Sequence, residues 1–232
     1  SFLLHSTVGA GSCPGSYLLG GRKLYAIKEV TAPTAYPVTL ADVKSHAVIS
    51  ITEDDNLISN FLIPAATEYA HALQKRQLML ATWRLSLPHF PYGDEPILLP
   101  LPPLVSVTTI DYVDPTSGVV TNVGATIYAV DTDCEPGRVR LAYGQSWPSA
   151  RDDVHDVVRV TYVAGYGSTN ALAAAAIPAN TKLGILMDCA ERYRNRGDDP
   201  MGFVSENARR AIDALLLQDQ CAPDECEEME YA

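Results

Sequence analysis

The most constraining feature of this sequence is the segment 52–81, in which apolar residues recur at intervals of three and four. That spacing places one stripe on one face of an α-helix and predicts a long helix. Thr52 with Asp55 three residues later has the form of an N-cap, and acidic residues at 53–55 favour the positive end of the helix dipole. The predicted buried stripe consists of Ile58, Phe61, Leu62, Ala65, Tyr69, Ala72, Leu73 and Arg76.

Pro64 lies in the middle of this predicted helix. A mid-helix proline removes an amide donor and presses on the carbonyl four residues earlier, at a cost of about 3 kcal/mol. We therefore expect a bend at Pro64.

The charge of the chain bears on its relation to nucleic acid. Seventeen basic and twenty-eight acidic residues give a net charge of -11. Such an excess of acid opposes a sequence-independent grip on phosphates. Any DNA that passes near this protein is therefore not expected to stick to it.

Cysteine usage and hydropathy indicate the compartment. The five cysteines, at 13, 134, 189, 221 and 226, include no pair with the two-residue spacing of zinc or redox motifs, which predicts free thiols in a reducing environment. No apolar run approaches the roughly 20 residues of a membrane span, and the N-terminal residues lack a basic leader. We expect a soluble protein that is not exported by the usual route and does not contact membranes.

The flanks of the long helix differ in character. Residues 1–23 are rich in Gly and Ser without a period and are expected to form an arm ordered only by a partner. Alternation at Tyr25, Ile27 and Val30 predicts a short strand, and Thr39 caps a predicted helix over 40–48. This helix is too short to be stable alone, so it must pack on another element, most simply the long helix.

After residue 81 the pattern changes to a period of two. Trp83, Leu85 and Leu87 alternate with polar residues, and prolines then punctuate the chain. Further strands are predicted at 97–101, 105–113, 125–130, 138–143 and 157–165. The fold class is therefore α+β, with an antiparallel β-rich insert (82–167) between helical parts (37–81 and 178–217).

Two helices close the predicted fold. One begins at Pro178 and ends at Gly197, and the other is capped by Ser205. Beyond residue 217 an acidic tail (218–232) is expected to leave the fold. The predicted buried stripes are Leu183, Leu186, Met187, Ala190, Tyr193 and Arg194 on the first helix, and Ala208, Ala211, Ile212, Leu215 and Leu216 on the second.

The sequence offers little sign of catalysis. The five histidines are far apart and none belongs to a two-ligand motif, Ser168 and Ser205 lack the turn of a hydrolase nucleophile, and no phosphate-binding loop is present. We predict no catalytic, cofactor-binding or metal-binding residues. Five arginines gather near the last two helices, where they either complement helix C-termini or form a docking surface for an acidic partner: Arg192, Arg194, Arg196, Arg209 and Arg210.

The order of the separated blocks resembles a known family. The blocks include TAPTAYPVTLADVKSHAVI, EDDNLISNFLIPAATEYAHALQKRQLMLATWRLSLPHFP, ILLPLPPLVSVTTIDYVD, VRVTYVAGYG and IPANTKLGILMDCAERYRNRG. They are similar in order and spacing to the head-to-tail connector (adaptor) proteins of long-tailed phages and gene-transfer particles. The resemblance covers residues 24–217, the expected adaptor domain, and departs from the family at Pro64 and in the arm 1–23.

The resemblance implies a non-enzymatic virion protein of the neck, made in the host cytoplasm. It implies a ring of identical copies, expected as a dodecamer, that joins the portal of the filled head to the next tail-side neck protein and extends the DNA channel. The C-terminal end of the family tends to reach into the portal, so portal contacts are expected from the five arginines together with Met229 and Tyr231. The alternatives are another ring protein, such as a stopper or tail terminator, and an enzyme whose site forms only in three dimensions.

Overall fold

The structure, a computed structural model, describes residues 17–19, 23–151, 153–195 and 206–221. It is a mixed α+β fold with antiparallel sheets, as predicted. Its helices are α1 (Leu40–Ala47), α2 (Asp55–Leu57), a π-helix (Ile58–Leu62), α3 (Ile63–Gln74), α4 (Asn170–Ala176), α5 (Ala179–Arg194), α6 (Glu206–Leu216) and a 3₁₀-helix (Leu217–Asp219). Its strands are β1 (Tyr17–Leu19), β2 (Lys23–Thr31), β3 (Ala81–Leu87), β4 (Ile97–Leu99), β5 (Leu104–Val113), β6 (Val120–Asn122), β7 (Tyr128–Asp131), β8 (Gly137–Leu141) and β9 (Val158–Ala164).

The strands form two antiparallel sheets. Six strands lie in the order β1-β2-β3-β9-β5-β6, and three in the order β4-β8-β7. The larger sheet is not confined to the predicted insert, because β2 precedes the helices in sequence and pairs with β3. Strands β1 and β6 were not expected from the sequence pattern, and β1 lies within the predicted arm, most of which is outside the described residues.

Two apolar cores stabilise the fold. The sheet core is built from alternate residues of β3 and β9, whose inward side chains are buried throughout, including Leu85, Val160 and Tyr162. The helical core is built around Ile58, Ile63 and Ile185. The Tyr162 hydroxyl donates to the Pro100 carbonyl at 2.8 Å, so this buried tyrosine keeps a hydrogen-bond partner.

The long helix is shorter than predicted. It begins at Asp55 rather than after a Thr52 cap, and Asp54 at the N-cap position makes no capping hydrogen bond from its side chain. It ends at Gln74 rather than Ala81, because Lys75 adopts a left-handed conformation (φ 55°) that terminates the helix. Residues 77–79 are nonetheless buried between the helices and the sheet.

The predicted buried face of this helix is only partly correct: Leu62, Tyr69 and Leu73 are partly buried against the helical core, but they are not its centre. The residues that are buried are Ile58, Ile63, Ala66, Ala70 and Gln74, whereas Phe61 is 67% exposed. The interval from 58 to 63 spans the π-helix, in which the Ile63 amide donates to the Ile58 carbonyl. A π-helix has about one more residue per turn than an α-helix, so Phe61 within it does not return to the side that Ile58 buries. The residues after the π-helix are rotated by about 100° relative to an uninterrupted α-helix. Pro64 directly follows this π-helix and lies in the first turn of α3.

Helix α1 has the predicted start. Thr39 accepts from the Asp42 amide and Asp42 accepts from the Thr39 amide, which completes a capping box. The helix packs against α5 as well as the π-helix, so its partner is not simply the long helix that follows it.

The buried faces of the C-terminal helices agree only in part with the predicted ones. Helix α5 buries Thr181, Gly184, Ile185, Asp188, Cys189 and Ala190, of which only Ala190 was predicted, and Leu183 is 40% exposed. The predicted residues Leu186, Met187 and Tyr193 are partly buried against the helical core. The apolar-stripe argument missed the small and polar residues of the contact with α6: a Cβ at Gly184 would lie only 2.8 Å from Leu216 Cδ2. On α6, Ile212 and Leu216 are buried as expected and Ala211 is exposed. Helix α4 was not predicted, and both Gly197 and Ser205 lie outside the described residues.

Candidate interaction surfaces

Two of the five arginines of the predicted cluster, Arg192 and Arg209, make contacts within the molecule. Asp188 on α5 is only 1% exposed and lies between two of these arginines. Arg192 Nε donates to Asp188 Oδ2 at 2.8 Å, and Arg209 Nη1 on α6 lies 3.6 Å from Asp188 Oδ1. A buried carboxylate requires such compensation. Arg192 supplies it from the same helix, and Arg209 supplies it from α6 and so joins α6 to α5.

A second set of contacts joins α6 to α3. The Arg209 guanidinium lies over the Tyr69 ring, 4.4 Å from its centroid, and the Tyr69 hydroxyl donates to Asp213. Burial, followed by the hydrogen bond to Asp213, raises the pKa of Tyr69, which therefore stays protonated at neutral pH. Arg209 thus contacts both neighbouring helices and is not a free surface charge.

The remaining predicted contact residues are placed differently. Arg194 and Arg210 have side chains that are 60% and 72% exposed. Each forms an ion pair along its own helix, with Glu191 and Glu206 respectively, and exposed pairs of this kind contribute about 0.3–0.5 kcal/mol. They are therefore available to a partner at little cost. Three further predicted residues, Arg196, Met229 and Tyr231, lie outside the described residues.

The beginning of the acidic tail is attached to the fold. Arg76 Nε donates to the Asp219 carbonyl at 2.6 Å, and Thr181 Oγ1 donates to Asp219 Oδ2 at 2.9 Å. The Cys221 amide donates to the Gln74 carbonyl at 3.1 Å, and Cys221 is buried. Residues 218–221 are thus part of the folded unit, and the described part of the chain ends at Cys221 beside the end of α3.

A cavity of about 350 Å³ opens between β2, the loop at 32–36 and α3. We call it the acidic pocket and define it by Glu29, Tyr36, Glu68, His71 and Trp83, which line it together with apolar residues. Trp83 Nε1 donates to Gln77 Oε1 at 3.1 Å, so the indole N–H of Trp83 has a hydrogen-bond partner. Within the described residues, neither Glu29 nor Glu68 has an ion pair or a side-chain hydrogen bond.

The histidine of the acidic pocket does not neutralise its carboxylates. His71 makes an edge contact with Trp83, with ring centroids 6.3 Å apart. Burial lowers the pKa of His71, so its ring is neutral at pH 7. The pocket therefore combines two negative charges with aromatic walls.

The outer side of the large sheet carries the opposite charge. Lys28 on β2 lies directly opposite Arg84 on β3, and Ser86 on β3 lies opposite Arg159 on β9. Their strand neighbours Ile27 and Leu85 are buried on the other side, so Lys28, Arg84 and Arg159 share the outer side, which we call the basic face. In the part of the chain that the structure describes, none of the three has an ion pair or a side-chain hydrogen bond.

Neither the acidic pocket nor the basic face was predicted from the sequence. The acidic pocket joins residues that are some 40 positions apart, and nothing in the local pattern connects Glu29 with Glu68. The basic face was signalled weakly by charged residues at the polar positions of alternating strands. The register of the strands was needed to bring them together.

Sites for chemistry are sparse in the described residues. Within them, no group of three or more His, Cys, Asp or Glu side chains could hold a metal ion. Burial raises the pKa of the Cys189 thiol to about 12, so this cysteine is protonated and unreactive at neutral pH. No helix in the described ranges has the length and hydropathy needed to cross a membrane.

No family model and no curated protein match this chain. Solved structures do match it. A chain in the neck of the empty gene transfer agent (GTA) particle, computed with C6 symmetry, has a TM-score of 0.65 and 22% identity. A chain in the virion of the native GTA particle has a TM-score of 0.64 and 22% identity, and one in the neck of the native particle, computed with C12 symmetry, has 0.63 and 23%. Each comparison covers 84% of this chain and 95% of the other. The likeness establishes a shared fold.

Proposed function

We propose that the protein is a structural component of the neck of a phage or gene-transfer particle, where a ring of its copies joins the portal of the filled head to the tail. The observation that carries this proposal is the fold shared with chains of GTA necks over almost their whole length. The independent resemblance of separated sequence blocks to head-to-tail adaptors supports the same role. In this role the protein performs no catalysis.

The proposed ring has twelve copies and extends the DNA channel. Necks computed with C6 and C12 symmetry are compatible with six or twelve equivalent positions for the chains they contain. The net charge of -11 supports a conduit past which DNA slides without specific binding.

The portal contact is proposed to lie on the helical layer and to use residues at both of its ends. Arg194 and Arg210 are exposed near the connection between α5 and α6, which holds Arg196. The C-terminal segment with Met229 and Tyr231 follows Cys221, which lies at the other end, beside the end of α3. Arg209 supports this surface by joining α6 to Asp188 on α5, and Arg192 pairs with the same carboxylate within α5. The next tail-side neck protein is proposed to bind the opposite side of the ring.

Sedimentation with purified portal rings tests this function. The protein alone at micromolar concentration and physiological salt is expected to sediment slowly, and addition of portal is expected to produce a larger species that contains both proteins. An unrelated acidic protein of similar size is the control for charge alone. Absence of the larger species contradicts the adaptor role.

A parallel capture experiment separates the adaptor from other ring proteins. Immobilised portal and immobilised tail tube are offered the same protein. Capture by portal supports the adaptor role, whereas capture by tail tube alone favours a tail terminator. A small enzyme would instead require a polar pocket with convergent titrating groups, and the acidic pocket offers neither a nucleophile nor a metal-ligand set among the described residues.

A further inference from the structure

Two surfaces of opposite charge lack partners within the described part of the chain. The acidic pocket holds Glu29 and Glu68, and the basic face holds Lys28, Arg84 and Arg159. Lys28 and Arg84 are directly opposite each other on adjacent strands, an arrangement of like charges that destabilises a sheet. The acid on the same face, Asp111, lies directly opposite Arg159, so it favours that arginine, but it forms no ion pair with it and accepts instead from Thr109 Oγ1 and Asn122 Nδ2, each at 3.0 Å. Lys28 and Arg84 have no such acidic neighbour among their cross-strand partners.

The acidic pocket has the chemistry of a site for a cationic side chain. Two carboxylates attract an ammonium or guanidinium group, and the Trp83 and Tyr36 rings offer faces for cation–π contact and for the apolar stem of lysine or arginine. The neutral His71 ring does not repel such a group.

Among the described residues, the two surfaces cannot neutralise each other within one molecule, because they lie on opposite sides of the sheet. Glu29 and Lys28 are neighbours on β2, and successive side chains on a strand point to opposite faces of the sheet. Glu29 lies opposite Trp83 on the pocket side, whereas Lys28 lies opposite Arg84 on the outer side. The basic face of one molecule therefore points away from its own acidic pocket.

We propose that the acidic pocket of one copy receives an arginine or lysine from the basic face of a second copy. The two surfaces are different, so the contact is heterologous and repeats from copy to copy, which is the kind of contact that closes a ring. The proposal deepens the proposed function and rests on it for the closed ring, but the pairwise contact is measurable without portal.

Charge reversal in two complementary variants tests the contact. The first variant, Glu29→Lys/Glu68→Lys, reverses the acidic pocket, and the second, Lys28→Glu/Arg84→Glu, reverses the basic face. Each variant alone brings like charges together at every contact. In an equimolar mixture, the reversed pocket of the first variant meets the reversed face of the second, and their two unchanged surfaces also meet.

Sedimentation velocity at low ionic strength is the measurement, over concentrations up to the millimolar range. Wild type is expected to self-associate in a concentration-dependent and salt-sensitive way. Each variant alone is expected to associate at least tenfold more weakly, because like-charge juxtaposition opposes the wrong contact, and the mixture is expected to recover wild-type association. Far-UV circular dichroism establishes that the variants remain folded.

A matched control carries the same change in net charge elsewhere. Asp94→Lys/Asp156→Lys alters two exposed loops beyond the far end of β3, and its self-association is expected to stay within twofold of wild type. A wild-type protein that is monomeric throughout, a mixture that fails to recover association, or a control as weak as the pocket variant overturns the proposal. If the protein binds portal but never self-associates, the contact between copies is wrong and the proposed function stands. If it self-associates through these surfaces but does not bind portal, the contact stands and the proposed function is wrong.

Discussion

The two cores of this molecule are held together by different means. The sheet core consists of apolar side chains on strands whose backbones are joined by regular ladders. Within the described residues, three of the four buried polar or charged residues, Gln74, Thr181 and Asp188, belong to the helical layer. Gln74 Nε2 donates to Thr181 Oγ1 at 2.9 Å and to the Leu216 carbonyl at 2.8 Å, which links α3, α5 and α6.

The difference follows from how each layer fixes its geometry. Backbone hydrogen bonds set the register of neighbouring strands, so apolar side chains suffice to fill the sheet core. Helices satisfy their backbone groups internally and can slide or rotate against one another. Polar contacts between helices, such as Gln74 with Thr181 and Arg209 with Asp188, favour one arrangement of the helical layer, a role that buried polar groups serve in some proteins.

The largest expected effects compare one buried apolar residue from each core with a neighbour outside the core, the exposed Phe61 and the half-buried Ser86. Ile58→Ala and Leu85→Ala are each expected to lower the free energy of unfolding by about 2–5 kcal/mol, because both side chains are fully buried. Phe61→Ala and Ser86→Ala are expected to change it by less than about 0.5 kcal/mol, as surface substitutions do. Urea denaturation followed by circular dichroism measures the free energy of unfolding of all four variants. A loss of more than about 2 kcal/mol for Phe61→Ala would contradict the exposed position of Phe61 on the π-helix.

Removal of the buried charge sharpens the comparison on the helical side. Asp188→Asn keeps the shape but leaves Arg192 and Arg209 without their carboxylate. We expect a loss of about 2–3 kcal/mol, less than for a wholly buried pair because both arginines are partly exposed. The paired control is Asp111→Asn on the sheet, where Asp111 accepts from neutral donors and lies opposite Arg159 without an ion pair, so a loss below about 1 kcal/mol is expected. Equal losses at the two sites would contradict a special role for polar contacts in the helical layer.

The glycine contact between α5 and α6 gives a smaller effect. Gly184→Ala introduces a Cβ 2.8 Å from Leu216 Cδ2, and the required shift is expected to cost about 1–3 kcal/mol although alanine favours helices. Leu183→Ala on the exposed side of the same helix is the control. Thermal unfolding measures the melting temperatures of the two variants, and Gly184→Ala is expected to have the lower one. A Gly184→Ala protein more stable than wild type would mean that α6 shifts without cost.

The sequence predicts structure well where the determinant is local. The Thr39 and Asp42 capping box lies within four residues, and the alternation of β3 follows from the strand backbone itself. Prediction failed where a distant contact or an irregular turn decides: Phe61 is exposed because of the π-helix, and Gly184 and Asp188 are buried because of α6. The acidic pocket and the basic face depend on strand register and on the packing of α3, which no local pattern contains.

The smallest expected change in stability comes from truncation of the acidic C-terminus. Two truncations distinguish residues 218–221, which contact the fold, from residues 222–232, which follow them. Deletion of 222–232 is expected to leave the melting temperature within about 1 °C of wild type, since the contacts of Asp219 and Cys221 remain. Deletion of 218–232 removes those contacts and is expected to lower it by several degrees. Differential scanning calorimetry compares the two.

The same pair of truncations tests the proposed portal contact. Deletion of 222–232 removes five acidic residues together with Met229 and Tyr231, and is expected to weaken association with portal, most strongly at low salt where charges are least screened. Because this truncation keeps the fold, a loss of binding reports on the contact and not on unfolding. If the protein that lacks 222–232 binds portal with full affinity, the contact is assigned instead to the exposed helix residues Arg194 and Arg210. Reversal of their charge would then be expected to abolish portal binding.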